Sequence, residues 1–263
     1  MEQKAAQLKT ILSSMNNVLV AYSGGVDSTL LIKIAQEILG DQVTAVIVTG
    51  PTLPEKELHQ AREIISALGI PLIEMESQEM GLPEFQANTS RRCYFCKDHR
   101  YKKLKTYAKE HNFQTIIDGA NADDLSDHRP GQQAALEQGI RSPLQEAGFT
   151  KQEIRTLAKK MNLPNWDKPS SACLASRIPY GTEITPKLLN QVEGAEDFLV
   201  DLGFNQLRVR HHGNIARIEI PLEAFEQVLS HREEILTAFK NLGFTYTTLD
   251  LSGFRSGSMN EVI

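Results

Sequence analysis

The chain has 263 residues, room for one large domain or two smaller ones. Hydrophobic residues make up 41% and charged residues 23%, the balance of a globular protein with a real core. The formal net charge of −5 argues against a nonspecific nucleic-acid binder, and apolar runs such as residues 44–48 are far too short to cross a bilayer. The first fourteen residues mix Glu, Lys and Gln with Leu at helical spacing, unlike a signal peptide. A soluble, cytoplasmic protein without a nucleic-acid or membrane partner is expected.

Strand-like and helix-like segments alternate from the start. Residues 18–22 are a short apolar run, and residues 27–39 follow with helical periodicity. A second strand is expected over 42–48, a helix with a Pro-Glu opening over 54–68, and a third strand over 71–75. A long basic helix spans 90–111, a fourth strand 114–118 and another helix 151–161. This alternation predicts a parallel sheet with helices on both faces. The last third changes rhythm: a helix over 186–202, strands over 206–210 and 216–220 around residues 211–214, a helix over 223–242, and a strand over 245–251. That order predicts a smaller α+β domain with antiparallel pairing, joined near residues 166–181, which are rich in Pro, Ser and Gly. The expected domains are 1–168 and 169–263.

The strongest local signal is Ser23-Gly24-Gly25-Val26-Asp27-Ser28, between the first strand and the first core helix. Two glycines permit a tight turn and close backbone approach to an anion, and the helix N-terminus offers free N–H groups and partial positive charge. Ser23, Ser28 and Thr29 add hydroxyl donors. The loop is neither a Walker A loop, since no Lys precedes Ser28, nor a G-x-G-x-x-G turn. Asp27 among phosphates is repulsive unless a divalent cation such as Mg²⁺ bridges it to them. The bland reading is a helix cap formed by Ser23 or Asp27. Placed after the first strand of an α/β pattern, the loop resembles the PP-loop of the ATP pyrophosphatase superfamily. The resemblance implies an adenine nucleotide alpha hydrolase-like sheet and cleavage of ATP to AMP and pyrophosphate with adenylation of a substrate.

A second turn, Asp118-Gly119-Ala120-Asn121-Ala122-Asp123-Asp124, also follows a strand and resembles the superfamily's second nucleotide-contacting turn. Asp124, and Asp127 beyond it, are the carboxylates to hold Mg²⁺ there; a solvated acidic cap is the alternative. The three cysteines are Cys93, Cys96 and Cys173. The first two form C-x-x-C on one helical face, flanked by Arg91, Arg92 and Lys97, a basic setting that suits thiolates. Buried structural thiols, a redox pair, zinc with His99 as fourth ligand, and a three-thiolate Fe–S cluster all remain open.

Together with these turns, D-H-R-P-G (127–131), C-L-A-S-R-I-P-Y-G (173–181), R-V-R (208–210) and G-F-R-S-G (253–257) look like the LarE family, over about residues 11–261. That resemblance implies an ATP-dependent sulfur transferase of nickel-pincer nucleotide biosynthesis. Such an enzyme adenylates a carboxylate of pyridinium-3,5-biscarboxylic acid mononucleotide and makes a thiocarboxylate. One subtype sacrifices a single cysteine; the other holds a [4Fe–4S] cluster on three cysteines and carries an extra sulfide, and Cys93, Cys96 and Cys173 match the second. The resemblance also sets Arg177, Arg208, Arg210 and Arg255 around a substrate phosphate or pyrophosphate. Arg208 and Arg210 alternate on a strand and share a face, with a sheet salt-bridged through Glu196 and Glu219 as the rival reading. ATP, Mg²⁺ and the cluster are thus the expected cofactors. The expected partners are a small-molecule nucleotide, a sulfide source or cysteine desulfurase, and further copies in a homo-oligomer. A tRNA thiolase and an amidotransferase-type synthetase are the rival enzymes, and a nucleotide-binding sensor the non-enzymatic alternative. The acidic charge, the absence of a glutaminase segment and the three cysteines weigh against them.

Overall fold

The computed structural model describes residues 1–126, 130–169 and 172–255. The described residues fall into two compact units. The first comprises those within Met1–Gly50, Glu55–Glu79 and Arg91–Ser171; the second, those within Pro51–Pro54, Met80–Ser90 and Ala172–Ile263.

The first unit opens with α1 (Glu2–Ser13), β1 (Val18–Ala21) and α2 (Val26–Leu39), then β2 (Val43–Thr49), α3 (Glu55–Ala67) and β3 (Leu72–Glu76). After the short α4 (Pro83–Gln86), which belongs to the second unit, come α5 (Arg92–Glu110) and β4 (Thr115–Asp118). The unit closes with α6 (Pro130–Glu137), α7 (Pro143–Glu146) and α8 (Lys151–Lys160). Its four strands run parallel in the order β3-β2-β1-β4. β1 reads Val-Leu-Val-Ala with no polar alternation, because a sheet covered on both faces buries both sets of side chains. Leu19, Val46 and Ile116 of the sheet pack with Tyr101, Leu104 and Ala108 of α5 and with Ala135 and Ile140. The chain leaves β1 in one direction across the sheet and later returns to its other side as β4. The loops after β1 and β4 therefore lie together at the carboxyl ends of adjacent strands, where such sheets open a crevice for ligands.

The second unit holds α9 (Pro186–Asp201), β5 (Arg208–His212), β6 (Ile215–Glu219), α10 (Phe225–Ser230), α11 (Arg232–Asn241) and β7 (Tyr246–Leu249). Thr185 caps α9 by accepting from the Leu188 N–H at 3.3 Å, with Pro186 at the first helical position. β5 and β6 form an antiparallel hairpin whose turn uses Gly213 at φ 65°. β7 runs parallel to β6, which corrects the expectation of purely antiparallel pairing. The reason lies in the connection: α10 and α11 intervene, and a helical crossover returns the chain in the same direction. The single helix expected over 223–242 is broken at His231 into α10 and α11, with no Gly or Pro to mark the break. The core gathers Leu199, Val209, Ile218, Ile235, Phe239 and Phe244. Among the described residues, no helix is long and apolar enough to cross a membrane.

His211 is buried against Phe244, and neither its Nδ1 nor His212 Nε2 has a hydrogen-bond partner among the described residues. Burial pushes the His211 imidazole below its usual range; burial, then Arg217 and His211, does the same to His212. The unfolded chain thus takes up protons that the folded one refuses. The stability these rings contribute is full above the ordinary histidine pKa of about 6.5 and is lost as pH falls through the lower folded values. Melts followed by circular dichroism should show a midpoint that drops between pH 7.5 and 5.5, with a shallower drop in His211→Leu. Equal slopes in both proteins would refute this.

Candidate active site

β1 ends with Tyr22 N–H donating to the Val46 carbonyl at 2.8 Å, and the chain then enters the glycine-containing loop. Gly24 adopts φ 74°, and an added Cβ would lie 2.8 Å from the Ala61 Cβ, so both backbone freedom and space demand glycine. Ser23 and Ser28 face each other, Oγ to Oγ at 3.1 Å, and the Ser28 hydroxyl also reaches the Gly25 carbonyl at 3.1 Å. Thr29 Oγ1 donates to the Gly25 carbonyl at 2.9 Å. The N-cap of α2 is Gly25, and it makes no side-chain cap hydrogen bond. Neither Ser23 nor Asp27 acts as the cap, so the first N–H groups of α2 face the loop without a side-chain acceptor, the arrangement that suits an anion.

Asn165, 4% exposed, clamps the loop from the other side. Its Nδ2 donates to the Gly24 carbonyl at 3.0 Å and to Thr29 Oγ1 at 2.9 Å. Nothing in the local sequence around Asn165 announces this, since the partners lie far upstream in the chain.

The turn after β4 meets this loop through Gly119. A Cβ there would sit 2.8 Å from Ser28 N and 3.0 Å from Ser28 Cα, so only glycine lets the two turns touch. Asp118 anchors the turn from within: it accepts from Tyr101 Oη at 2.8 Å, Ser142 Oγ at 2.6 Å and the Ala120 N–H at 3.2 Å. Burial, followed by the Asp118 charge, raises the Tyr101 hydroxyl well above its ordinary pKa, so it stays a donor. Asn121 then ties the two turns electrostatically. Its Nδ2 donates to Asp27 Oδ1 at 3.4 Å, and its N–H donates to Asp124 Oδ2 at 3.0 Å. The second oxygen of Asp27 carries the ammonium of Lys151, a contact absent from the sequence expectations. Asp127 lies outside the described residues, as do the rest of 127–129, residues 170–171 and residues 256–257.

Cys93 and Cys96 occupy the first turns of α5, exposed and half-buried respectively, one turn apart and not joined in a disulfide. Arg91 lies over the rings of Tyr94 and Phe95, 4.8 and 5.4 Å from their centroids, and Tyr94 Oη donates to Glu137 at 2.6 Å. Cys173 belongs to the second unit, is exposed, and caps the short 3-10 turn Leu174–Arg177. Within neither unit do three His, Cys, Asp or Glu side chains among the described residues gather as a metal-binding group.

The arginines form their own cluster in the second unit. Arg177 is 1% exposed and makes a two-pronged pair with Glu196, Nε and Nη2 each at 2.9 Å. Its Nη1 donates to the carbonyls of Ala172 at 2.6 Å and Cys173 at 3.1 Å, so it also braces the cysteine segment. Arg210 pairs with Glu219, and Arg217 meets the other oxygen of that same carboxylate at 2.9 Å. The carboxylates weighed as alternatives to phosphate are therefore present beside Arg177 and Arg210. Arg208 packs over Phe254 at 5.4 Å and donates to the Leu207 carbonyl, while the adjoining Arg255 is exposed. Burial, and next the charge of Arg177, pushes the Arg208 guanidinium down to about 10.

A family model described as a PP-loop domain matches residues 1–128. An uncharacterized protein of Synechocystis sp. is 43% identical over all of this chain and 99% of its own length. Pyridinium-3,5-bisthiocarboxylic acid mononucleotide synthase of Lactiplantibacillus plantarum is 39% identical over 99% of this chain and 95% of its own length. An uncharacterized protein of Methanocaldococcus jannaschii is 31% identical over 95% of this chain and 98% of its own length. The parallel sheet with this loop at its switch point defines an ATP-using enzyme with a PP-loop domain. The chain belongs to the LarE family, and it is an ATP-dependent, sulfur-transferring enzyme.

Gly119→Ala tests the contact between the two turns. The added methyl must push Gly119 away from Ser28, with a stability loss of about 1–3 kcal/mol and ATP binding weakened roughly tenfold. Calorimetric titration with ATP alongside a thermal melt checks both. Unchanged ATP affinity would show that the close approach does not shape the nucleotide site.

Proposed function

We propose that this enzyme adenylates a carboxylate of pyridinium-3,5-biscarboxylic acid mononucleotide, releasing pyrophosphate, and exchanges oxygen for sulfur to give a thiocarboxylate. The observation that carries the reading is the open N-terminus of α2 at the loop 23–28, with Asp27 facing the Gly119 turn, in a chain 39% identical to the L. plantarum synthase. Residues 1–168 serve ATP, and 169–263 serve the mononucleotide.

A carboxylate resists nucleophiles because of its charge; joining it to AMP removes that charge and supplies a leaving group. Ser23, Gly24, Gly25 and Ser28 bind the phosphates through backbone N–H groups and hydroxyls at the helix N-terminus. Asp27 and Asp124, both accepting hydrogen bonds from Asn121, would hold Mg²⁺, which would supply positive charge to offset that of the phosphates. Two carboxylates joined to one asparagine fit that ion, which takes one or two protein carboxylates and completes its shell with phosphate and water.

The donor set also fits a thiolate-held cofactor: two cysteines one helical turn apart and outside any disulfide, one more in the second unit, and no fourth cysteine in the chain. Cys93, Cys96 and Cys173 are the residues to hold a [4Fe–4S] cluster, which when bound supplies an iron open to an extra sulfide. Arg177 fixes the carbonyls beside Cys173 and so sets the direction of that thiol. Arg208 and Arg255 bind the substrate phosphate, supported by Arg210. An anion beside Arg208 offsets the burial and like-charge repulsion that depress its pKa. Sulfide or a cysteine desulfurase as sulfur source, a homo-oligomeric assembly and the cytoplasm complete the reading.

With substrate and ATP present, the parent enzyme should form AMP and pyrophosphate, and Asp27→Ala should form neither. ADP and phosphate as products would overturn the reading. After anaerobic reconstitution, Ala at Cys93, Cys96 or Cys173 should each remove iron and sulfur transfer, while His99→Ala spares both. Retained turnover in Cys93→Ala and Cys96→Ala, with loss of one sulfur's mass at Cys173, would replace the cluster by a sacrificed cysteine.

The arginines separate by stability. Arg208→Met should weaken mononucleotide binding with little loss in melting midpoint, because it removes a half-buried cation from among other cations and keeps an unbranched apolar side chain beside Phe254. Arg210→Met should lower stability by about 3 kcal/mol, since Glu219 stays buried with one partner fewer. Equal stability losses in both variants with binding intact would favour a purely structural role for Arg208.

A further inference from the structure

We infer that Lys151 is an internal counter-cation for Asp27 that yields its place to the divalent ion when the nucleotide binds, and then serves as a phosphate-contacting residue. This rests on the proposed use of ATP at this site. Lys151 is the first residue of α8, where the helix dipole disfavours a cation and favours an acid. α8 does not need it there: Thr150 caps the helix, and Glu153 completes a capping box by accepting from the Thr150 N–H at 2.9 Å. The lysine backbone N–H donates to Asp123 at 2.8 Å, while its side chain crosses to Asp27 in the first turn of α2. The ammonium is thus held at the first turn of α2, beside the helix N-terminus that suits an anion.

Asp27 has both oxygens engaged, one by Asn121 and one by Lys151. A divalent ion taken up by Asp27 would compete with that ammonium for the carboxylate, because two cations at contact distance on one carboxylate repel each other. The displaced ammonium sits on a flexible four-carbon stem and has three donors, so a phosphate oxygen a few ångströms away is within its reach. In the adenylation step, the substrate carboxylate forms a bond to the α-phosphorus and the bond from that phosphorus to the bridging oxygen breaks. The electron pair stays on the departing pyrophosphate. An ammonium beside that oxygen balances the new charge with no proton transfer.

The test is Lys151→Ala against the full-length parent, with Mn²⁺ as the probe ion. Without nucleotide, Mn²⁺ titration followed by electron paramagnetic resonance should show roughly thirtyfold tighter binding in the variant, the effect of removing one unit charge about 4 Å from a divalent ion in water. With Mn²⁺ present, binding of ATP and of pyrophosphate should instead weaken by roughly tenfold or more, and AMP formation should slow ~10²-fold. Opposite signs for bare metal and nucleotide are the signature. Unchanged or weaker Mn²⁺ binding, or unchanged affinity for pyrophosphate, would overturn the inference and leave a structural ion pair. Should Lys151→Ala fail to fold, Lys151→Gln, which keeps most of the stem, reads the same two affinities. Metal and pyrophosphate binding need no mononucleotide, so a wrong substrate assignment would leave both results standing.

Discussion

The absence of a side chain at Gly119 lets one turn rest directly on the backbone of Ser28, and the geometry of the nucleotide site follows from that contact. Parallel strands β1 and β4 are neighbours, so the turns that leave them begin side by side. Any Cβ at Gly119 would hold them apart. With the turns in contact, Asn121 reaches Asp27 from one side, and Lys151 meets the same carboxylate from α8. Asp118 and Asn165 secure the two turns separately, one from beneath β4 and the other across the glycine loop. The loop 23–28 is therefore held in shape by contacts of the chain itself, and such pre-organisation spares the reorganisation that would otherwise oppose binding.

The second unit solves a different electrostatic problem. Arg177, Arg208, Arg210 and Arg217 lie among the carboxylates Glu196, Glu219 and Asp250, a surplus of cations in a largely buried setting. Glu219 is fully buried and divides its oxygens between two arginines, while Arg177 is matched by Glu196 alone. Burying such charges costs several kcal/mol apiece unless geometry and hydrogen bonds compensate, so arrays of this kind are maintained for specificity more than for stability. Burial, and then the charge of Arg177, depresses the pKa of Arg208 more than the nearby Glu196 and Glu219 raise it.

How far the sequence speaks can be read from individual residues. The loop 23–28 was legible because glycine and hydroxyl residues between a strand and a helix have few other uses at that spacing. β1 and β2 were legible because largely apolar runs of four and seven residues fit strands covered on both faces. The alternation of Arg208 and Arg210 correctly marked a strand with paired cations. Glu219 was among the carboxylates expected to be able to pair there, but that it meets Arg210 across the hairpin depends on register. The parallel direction of β7 was equally out of reach, since periodicity carries no sign of strand direction. Lys151 did leave a trace: a cation at the first position of a capped helix runs against the dipole, and such a misfit points to a partner elsewhere.

The chain by itself thus determined the strands β1 to β4, the helices α2, α3, α5, α8 and α9, the glycine-containing loop between β1 and α2 and the family, since these depend on neighbours within a few residues and on short motifs. Only the tertiary structure decided that the residues within Pro51–Pro54 and Met80–Ser90 pack with the C-terminal unit. It alone brought Asn165 to Gly24 and Lys151 to Asp27, and turned the arginines toward particular glutamates. Those contacts join residues far apart in the chain, and their energies exist only once the strands have chosen their order and brought the loops together.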